Sequence, residues 1–201
     1  MVYQGRMEQA APRPMPMSLP NVLTYGRIVA VPALVACLFF LRGDVGRWSA
    51  FSLFVLAGLT DWLDGYLARM WEQQSTLGRM LDPIADKLLV GAVLMMLVHD
   101  NTIAGWSIWA AIIILVREIL VSGLREFLAE LNVKVHVTQL AKWKTTMQMI
   151  ALAVLLAGPA AEKIVPGIMI GGLVLLWIAA LLTLWTGYDY LKAGVVHAME
   201  R

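Results

Sequence analysis

Residues 61–86 read DWLDGYLARMWEQQSTLGRMLDPIAD, and eight positions in them carry the argument: Asp61, Asp64, Gly65, Ala68, Arg69, Gly78, Asp82 and Asp86. Asp61 and Asp64 stand three residues apart, Asp82 and Asp86 four apart. On α-helices each pair lies on one face, one turn apart. Two antiparallel helices joined by a short connection would bring all four carboxylates together. A chain that is 60% hydrophobic keeps that much negative charge at a helix junction only where something positive neutralises it. Hard oxygen ligands of this kind select Mg²⁺ or Mn²⁺. The stretch therefore predicts two bound divalent ions and chemistry on a phosphate. Gly65 and Gly78 leave room for a phosphate or base to approach the backbone closely. Arg69 adds a fixed positive charge suited to phosphate oxygens.

The surrounding chain sets where this cluster sits. Only 15% of its 201 residues are charged, and its mean hydropathy is +0.72. That profile excludes a soluble domain and predicts an all-α fold, a polytopic membrane protein with about six transmembrane helices. The apolar spans are placed at Val22–Leu41, Ser49–Ala68, Leu81–Val98, Ala104–Leu124, Thr145–Gly158 (short) and Gly167–Tyr188. Residues 1–20, with Pro12, Pro14, Pro16 and Pro20, read as a cytosolic tail or interfacial segment without a signal-peptide core. Residues 21–201 form the membrane domain. With the N-terminus in the cytosol, Arg42, Arg47 and Lys163 fall outside and the remaining Lys and Arg on the inner side. The carboxylate cluster then faces the cytosol. Asp82-Pro83 suits a helix start, with Asp as cap and Pro in the first turn.

Other features are quieter. Cys37 is alone and reads as core or lipid-facing, and no Cys/His cluster suggests zinc. His99, His136 and His197 lie near connections. Trp48, Trp71, Trp106, Trp143 and Trp185 fall near membrane boundaries, as an aromatic belt would. There is no internal repeat of the kind that marks inverted-repeat transporters.

The pattern Asp61-x2-Asp64-Gly65-x2-Ala68-Arg69-x8-Gly78-x3-Asp82-x3-Asp86 resembles the full signature of the CDP-alcohol phosphotransferases, integral membrane enzymes of phospholipid synthesis. The resemblance covers most of the chain after Pro20. It implies that a CDP-linked alcohol donates a phosphate-linked group to a second alcohol and releases CMP. It further implies that Asp61, Asp64, Asp82 and Asp86 bind two divalent ions, with Asp86 also the general base. The donor would lie against Asp61, Asp64, Gly65, Ala68, Arg69 and Gly78. A homodimer in a bacterial inner membrane is also implied, with no nucleic-acid partner.

Three more segments resemble the branch of that family that makes phosphatidylglycerol phosphate: LPNVLT at 19–24, REIL at 117–120 with LRE at 124–126, and AKWKTTMQM at 141–149. There the donor is CDP-diacylglycerol and the acceptor glycerol 3-phosphate. The charges point the same way independently. A phosphorylated acceptor needs cations beside the metals, and Arg117, Arg125, Lys142 and Lys144 fall in the inner half of the fourth helix or the loop after it. Arg117 interrupts an apolar run, so it needs a ligand or an ion-pair partner. The two lysines also fit a cytosolic loop facing anionic lipid, and Glu118 and Glu126 could orient the arginines. Asn21 and Thr24, with Arg27 a turn further, read either as donor contacts or as a helix cap with an interfacial arginine. Two other outcomes stay open: the same chemistry on inositol phosphate, serine or a phospholipid, and a divalent-cation transporter. An inactive lipid-binding relative would have lost its metal ligands.

Overall fold

The computed structural model describes residues 19–71, 76–130 and 139–199, and these form six helices. They are α1 (Leu19–Phe40), α2 (Gly43–Trp71), α3 (Thr76–His99), α4 (Ser107–Glu130), α5 (Gln139–Ala161) and α6 (Ile168–Met199). Each is at least 22 residues long, enough to cross about 30 Å of hydrocarbon at about 1.5 Å per residue. Four contain an apolar window of membrane-spanning length that carries few charges, in α1, α4, α5 and α6. α2 and α3 lack one because Asp44, Arg47 and Asp61 punctuate the first and Asp82, Asp86 and Lys87 the second. The protein is a multi-pass helical membrane protein.

Two expectations are corrected. The fifth helix is not short: its polar first turns, QLAKWK, continue the apolar run and give 23 residues. Asp82-Pro83 is not a helix start either, because α3 begins at Thr76 and Pro83 lies inside it. The missing N–H of Pro83 removes one intrahelical bond beside the carboxylates.

Small side chains let the helices approach. Ala50, Ala57, Ala110, Ala151, Ala179 and Ala180 are buried among Leu34, Phe54, Val93, Ile114, Leu152 and Leu176. Lipid tails are as apolar as leucine, so close packing of this kind, rather than water exclusion, drives association. α1 packs on α2 and α3, α5 on α2 and α6, and α4 on α6. Phe39, Leu56, Met95, Ile119 and Leu181 stay exposed, a surface for acyl chains rather than water.

One end of the bundle is tightly tied. Gly43 and Gly167 take left-handed backbone (φ 66° and 87°) that lets the chain reverse directly. Arg47 pairs with Asp100 at 2.8 Å, and Lys163 with Asp44 at 2.7 Å. The Glu162 carboxylate accepts from the N–H groups of Gly167 at 2.7 Å and Met169 at 3.0 Å at the start of α6. Those backbone donors hold its pKa below the ordinary glutamate value. The three cations assigned to one side by sequence, Arg42, Arg47 and Lys163, lie in or beside these connections.

Gly46 makes the first corner possible. A Cβ there would lie 2.5 Å from the Leu41 carbonyl oxygen and 2.9 Å from that of Cys37. Both are backbone atoms, so Gly46→Ala has to pry α1 from α2. The expected loss is about 1–3 kcal/mol, read as a lower thermal midpoint in detergent with turnover per folded molecule unchanged. Gly171→Ala, where nothing lies within 4 Å of the new Cβ, serves as the neutral control. Equal midpoints for the two variants would show that the corner yields without cost.

Candidate active site

The other end gathers the polar residues. Thr24 and Arg27 sit three apart on α1, facing α2 and α3. Arg27 is buried, at 1% exposure, and its Nη1 donates to Asp61 Oδ1 at 2.7 Å and to Asp86 Oδ1 at 3.0 Å. Thr24 Oγ1 donates to Asp82 Oδ1 at 2.6 Å. One helix thus ties together three of the four aspartates, supplied by two others. Arg27 is no interfacial snorkel; burial and two carboxylates fix it in place. The sequence signal was its register, one turn beyond Thr24 on the same face.

A cavity of ≈ 420 Å³ separates this wall from a second one, a volume suited to a small ligand. Asp61, Asp82 and Asp86 line it from α2 and α3, and Arg117, Arg125 and Lys144 from α4 and α5, with Ala57, Gly58, Leu89 and Val90 one turn deeper on the carboxylate helices. Gly58 meets Met149 on α5, where a Cβ would come within 3.2 Å of the methyl carbon. A side chain at position 58 would displace that methyl by a few tenths of an ångström.

The cationic wall is held by its own contacts. Arg117 Nη2 donates to Thr186 Oγ1 on α6 at 2.9 Å, and Nη1 lies 3.5 Å from Glu118 Oε1. Its aliphatic stem rests on Gly187, where an added Cβ would meet Cγ at 3.2 Å. Lys144 belongs to α5 rather than to a loop; it is buried, at 4% exposure, and pairs with Glu118. Glu118 therefore orients Arg117 and Lys144 together.

Gly78 is buried in α3, one turn before Asp82. Asp64, Gly65, Ala68 and Arg69 lie on the backbone of α2, and Asn21 and Lys142 on those of α1 and α5; what surrounds these six lies outside the described residues. The tail before Leu19 lies outside them as well.

Among the described residues no three acidic, His or Cys side chains close round one point as a metal site would. The donor set nonetheless fits a hard divalent ion. It is oxygen only, it comes from facing helices, and one guanidinium nitrogen already sits between Asp61 and Asp86. Arg27 and Lys87, which lines the cavity beside Asp86, still leave the three carboxylates with a net negative charge, so a further cation is favoured there. The carboxylates sit in the half of α2 and α3 nearer the 72–75 connection, and neither helix is broken beside them. A transporter's ion path would call for carboxylates at the bilayer midplane on broken helices.

The chain matches the sequence profile described as CDP-alcohol phosphatidyltransferase over residues 17–185. A protein of Rickettsia bellii is 47% identical over 176 residues, covering 88% of this chain and 94% of that protein. One of Escherichia coli K12 is 40% identical over 189 residues, 93% and 100% of the two chains. One of Cereibacter sphaeroides is 38% identical over 220 residues, 92% and 99% of the two chains. All three bear the name CDP-diacylglycerol–glycerol-3-phosphate 3-phosphatidyltransferase. The matched region takes in every helix that builds the cavity, and this chain belongs to the CDP-alcohol phosphatidyltransferase family.

Proposed function

We propose that the protein transfers the phosphatidyl group of CDP-diacylglycerol to glycerol 3-phosphate, giving phosphatidylglycerol phosphate and CMP. The observation that carries this reading is the two-walled cavity, with carboxylates on one side and Arg117, Arg125 and Lys144 on the other. Glu118, in the same lining, offsets one of those three charges, and the net positive charge that remains has no counterpart in a neutral acceptor. A phosphorylated alcohol matches it.

Asp61, Asp64, Asp82 and Asp86 would hold two divalent ions, Mg²⁺ or Mn²⁺. When bound, these supply positive charge to the pyrophosphate oxygens and the leaving group. The chain's own residues do the rest. Arg117, Arg125, Lys142 and Lys144 hold the acceptor phosphate, so that its free primary hydroxyl points toward the carboxylates. Asp86 takes the proton from that hydroxyl as its oxygen bonds to the phosphatidyl phosphorus. The bond from that phosphorus to the bridging oxygen breaks, and CMP leaves with the electron pair. Asn21, Thr24, Gly65, Ala68, Arg69 and Gly78 receive the donor. Positioning and charge carry nearly all of the rate enhancement for such a transfer. The carboxylate end faces the cytosol of a bacterial inner membrane, with the N-terminus on that side, and the working unit is a homodimer.

CMP release by purified protein in detergent–lipid micelles with CDP-diacylglycerol and Mg²⁺ tests this. Glycerol 3-phosphate, inositol phosphate, inositol and serine are offered separately, with EDTA as the blank. Metal-dependent release with glycerol 3-phosphate alone is expected. Release with a different acceptor would keep the chemistry and refute the acceptor.

A further inference from the structure

Gln148 is a polar side chain that the proposed chemistry does not yet use. It lies on α5 at 3% exposure, lines the cavity, and its Oε1 has no hydrogen-bond partner in the protein. A buried carbonyl oxygen left without a partner costs free energy, so a native structure keeps one where a ligand or water completes it. Its neighbours along the cavity, Arg117 and Lys144, are cations and suit a phosphate. An amide differs from both. It presents an acceptor and a donor without charge, which matches an alcohol hydroxyl, itself both.

Its position says which hydroxyl. Lys144 and Gln148 are four apart on α5 and so share a face, about 6 Å apart along the helix. α5 runs from the 131–138 connection into the bundle, so Gln148 is the deeper of the two. In glycerol 3-phosphate only the ester oxygen and two carbons separate the phosphorus from the middle hydroxyl oxygen. With the phosphate at Lys144 and the primary hydroxyl at the carboxylates, the middle hydroxyl falls between, at the level of Gln148.

We infer that Gln148 reads the middle hydroxyl of the acceptor, making it a specificity residue for vicinal-diol phosphates. The inference rests on the proposed function, since it presupposes the acceptor's phosphate at the cationic wall. A site with a buried group awaiting a hydroxyl discriminates against the analogue that lacks it, because the group is then left unpaired.

The test compares glycerol 3-phosphate with 3-hydroxypropyl phosphate, identical but for the middle hydroxyl, by CMP release at saturating CDP-diacylglycerol. Wild-type protein should favour glycerol 3-phosphate by about tenfold or more in kcat/KM, the scale of one hydrogen bond. Gln148→Leu should lose about that factor on glycerol 3-phosphate and less than about twofold on the deoxy analogue, so the preference collapses. The KM for CDP-diacylglycerol should stay within about twofold. Because the ratio is taken within one preparation, partial misfolding cancels, and Gln148→Asn, which keeps the amide, should retain part of the preference. Equal losses on both acceptors would mean a packing role and overturn the inference. So would wild-type protein that uses both acceptors equally, a result that needs no variant. No CMP release from wild-type protein with either acceptor would instead overturn the functional reading, and this inference with it.

Discussion

Asp86→Asn should release CMP at less than about one-thousandth of the wild-type rate while inserting and folding normally. Asparagine keeps the shape and one oxygen of the side chain but loses the charge and the ability to take a proton. A positioned general base contributes about 10²–10⁴ in rate, and the same substitution removes one anionic ligand from the proposed cation site. Folding should survive, because Asp86 is half exposed, at 50% for its side chain, and its one contact with Arg27 can be made by an amide oxygen. Matched elution and thermal midpoint alongside lost turnover would separate chemistry from structure. Turnover within about tenfold of wild type would remove Asp86 from both of its roles.

Arg27→Met should destabilise the site end of the bundle, and its damage should be repaired in part by metal. The guanidinium is fully buried at 0% side-chain exposure and bridges Asp61 and Asp86. Methionine fills much of the space but leaves two facing carboxylates with no neutralising charge. Stranding one partner of a buried pair costs about 3–5 kcal/mol. Here the carboxylates are 43% and 50% exposed, so solvent reduces the loss to about 2 kcal/mol. In EDTA the thermal midpoint should fall by about 5 °C. Millimolar Mg²⁺ should raise the midpoint of the variant by more than that of wild type, because the ion then supplies the missing positive charge. A variant as stable as wild type in EDTA would mean that Arg27 does not neutralise the pair. Equal Mg²⁺ responses would mean that cation binding and Arg27 act on separate groups.

The helical, membrane-embedded character of the chain was legible because hydropathy is a bulk property that no single residue can overturn. The ends of the helices were not. Gln139–Lys144 looks like a loop in a hydropathy reading, yet polar residues extend α5 to 23 residues because helix propensity does not require apolar side chains. Pro83 misled for a related reason: Asp-Pro has the chemistry of a helix start, but Thr76–Leu81 already provide the turns before it. Within the site, that Asp61, Asp82 and Asp86 meet was legible from the short connection between two neighbouring helices and the four-residue spacing of the last two. Arg27 was harder to read, since its role depends on contact between α1 and the α2–α3 pair across more than thirty positions, which local spacing does not encode. Gln148 was quoted within its segment as one polar letter among several. Only its burial beside a cavity distinguishes it.

The resting place of Arg117 on Gly187 has a consequence for how acceptor affinity is set. Among the described residues α6 contributes no group to the cavity lining, yet it supplies the hydroxyl that holds one end of the guanidinium and the bare backbone against which its stem lies. On the proposed function, the direction of the cation that meets the acceptor is thus dictated from behind. A methyl group at position 187 would tilt that cation by a few tenths of an ångström without approaching any substrate. Affinity for the small acceptor can therefore drift through changes in a lipid-side helix while the carboxylates, and the chemistry they carry, stay as they are.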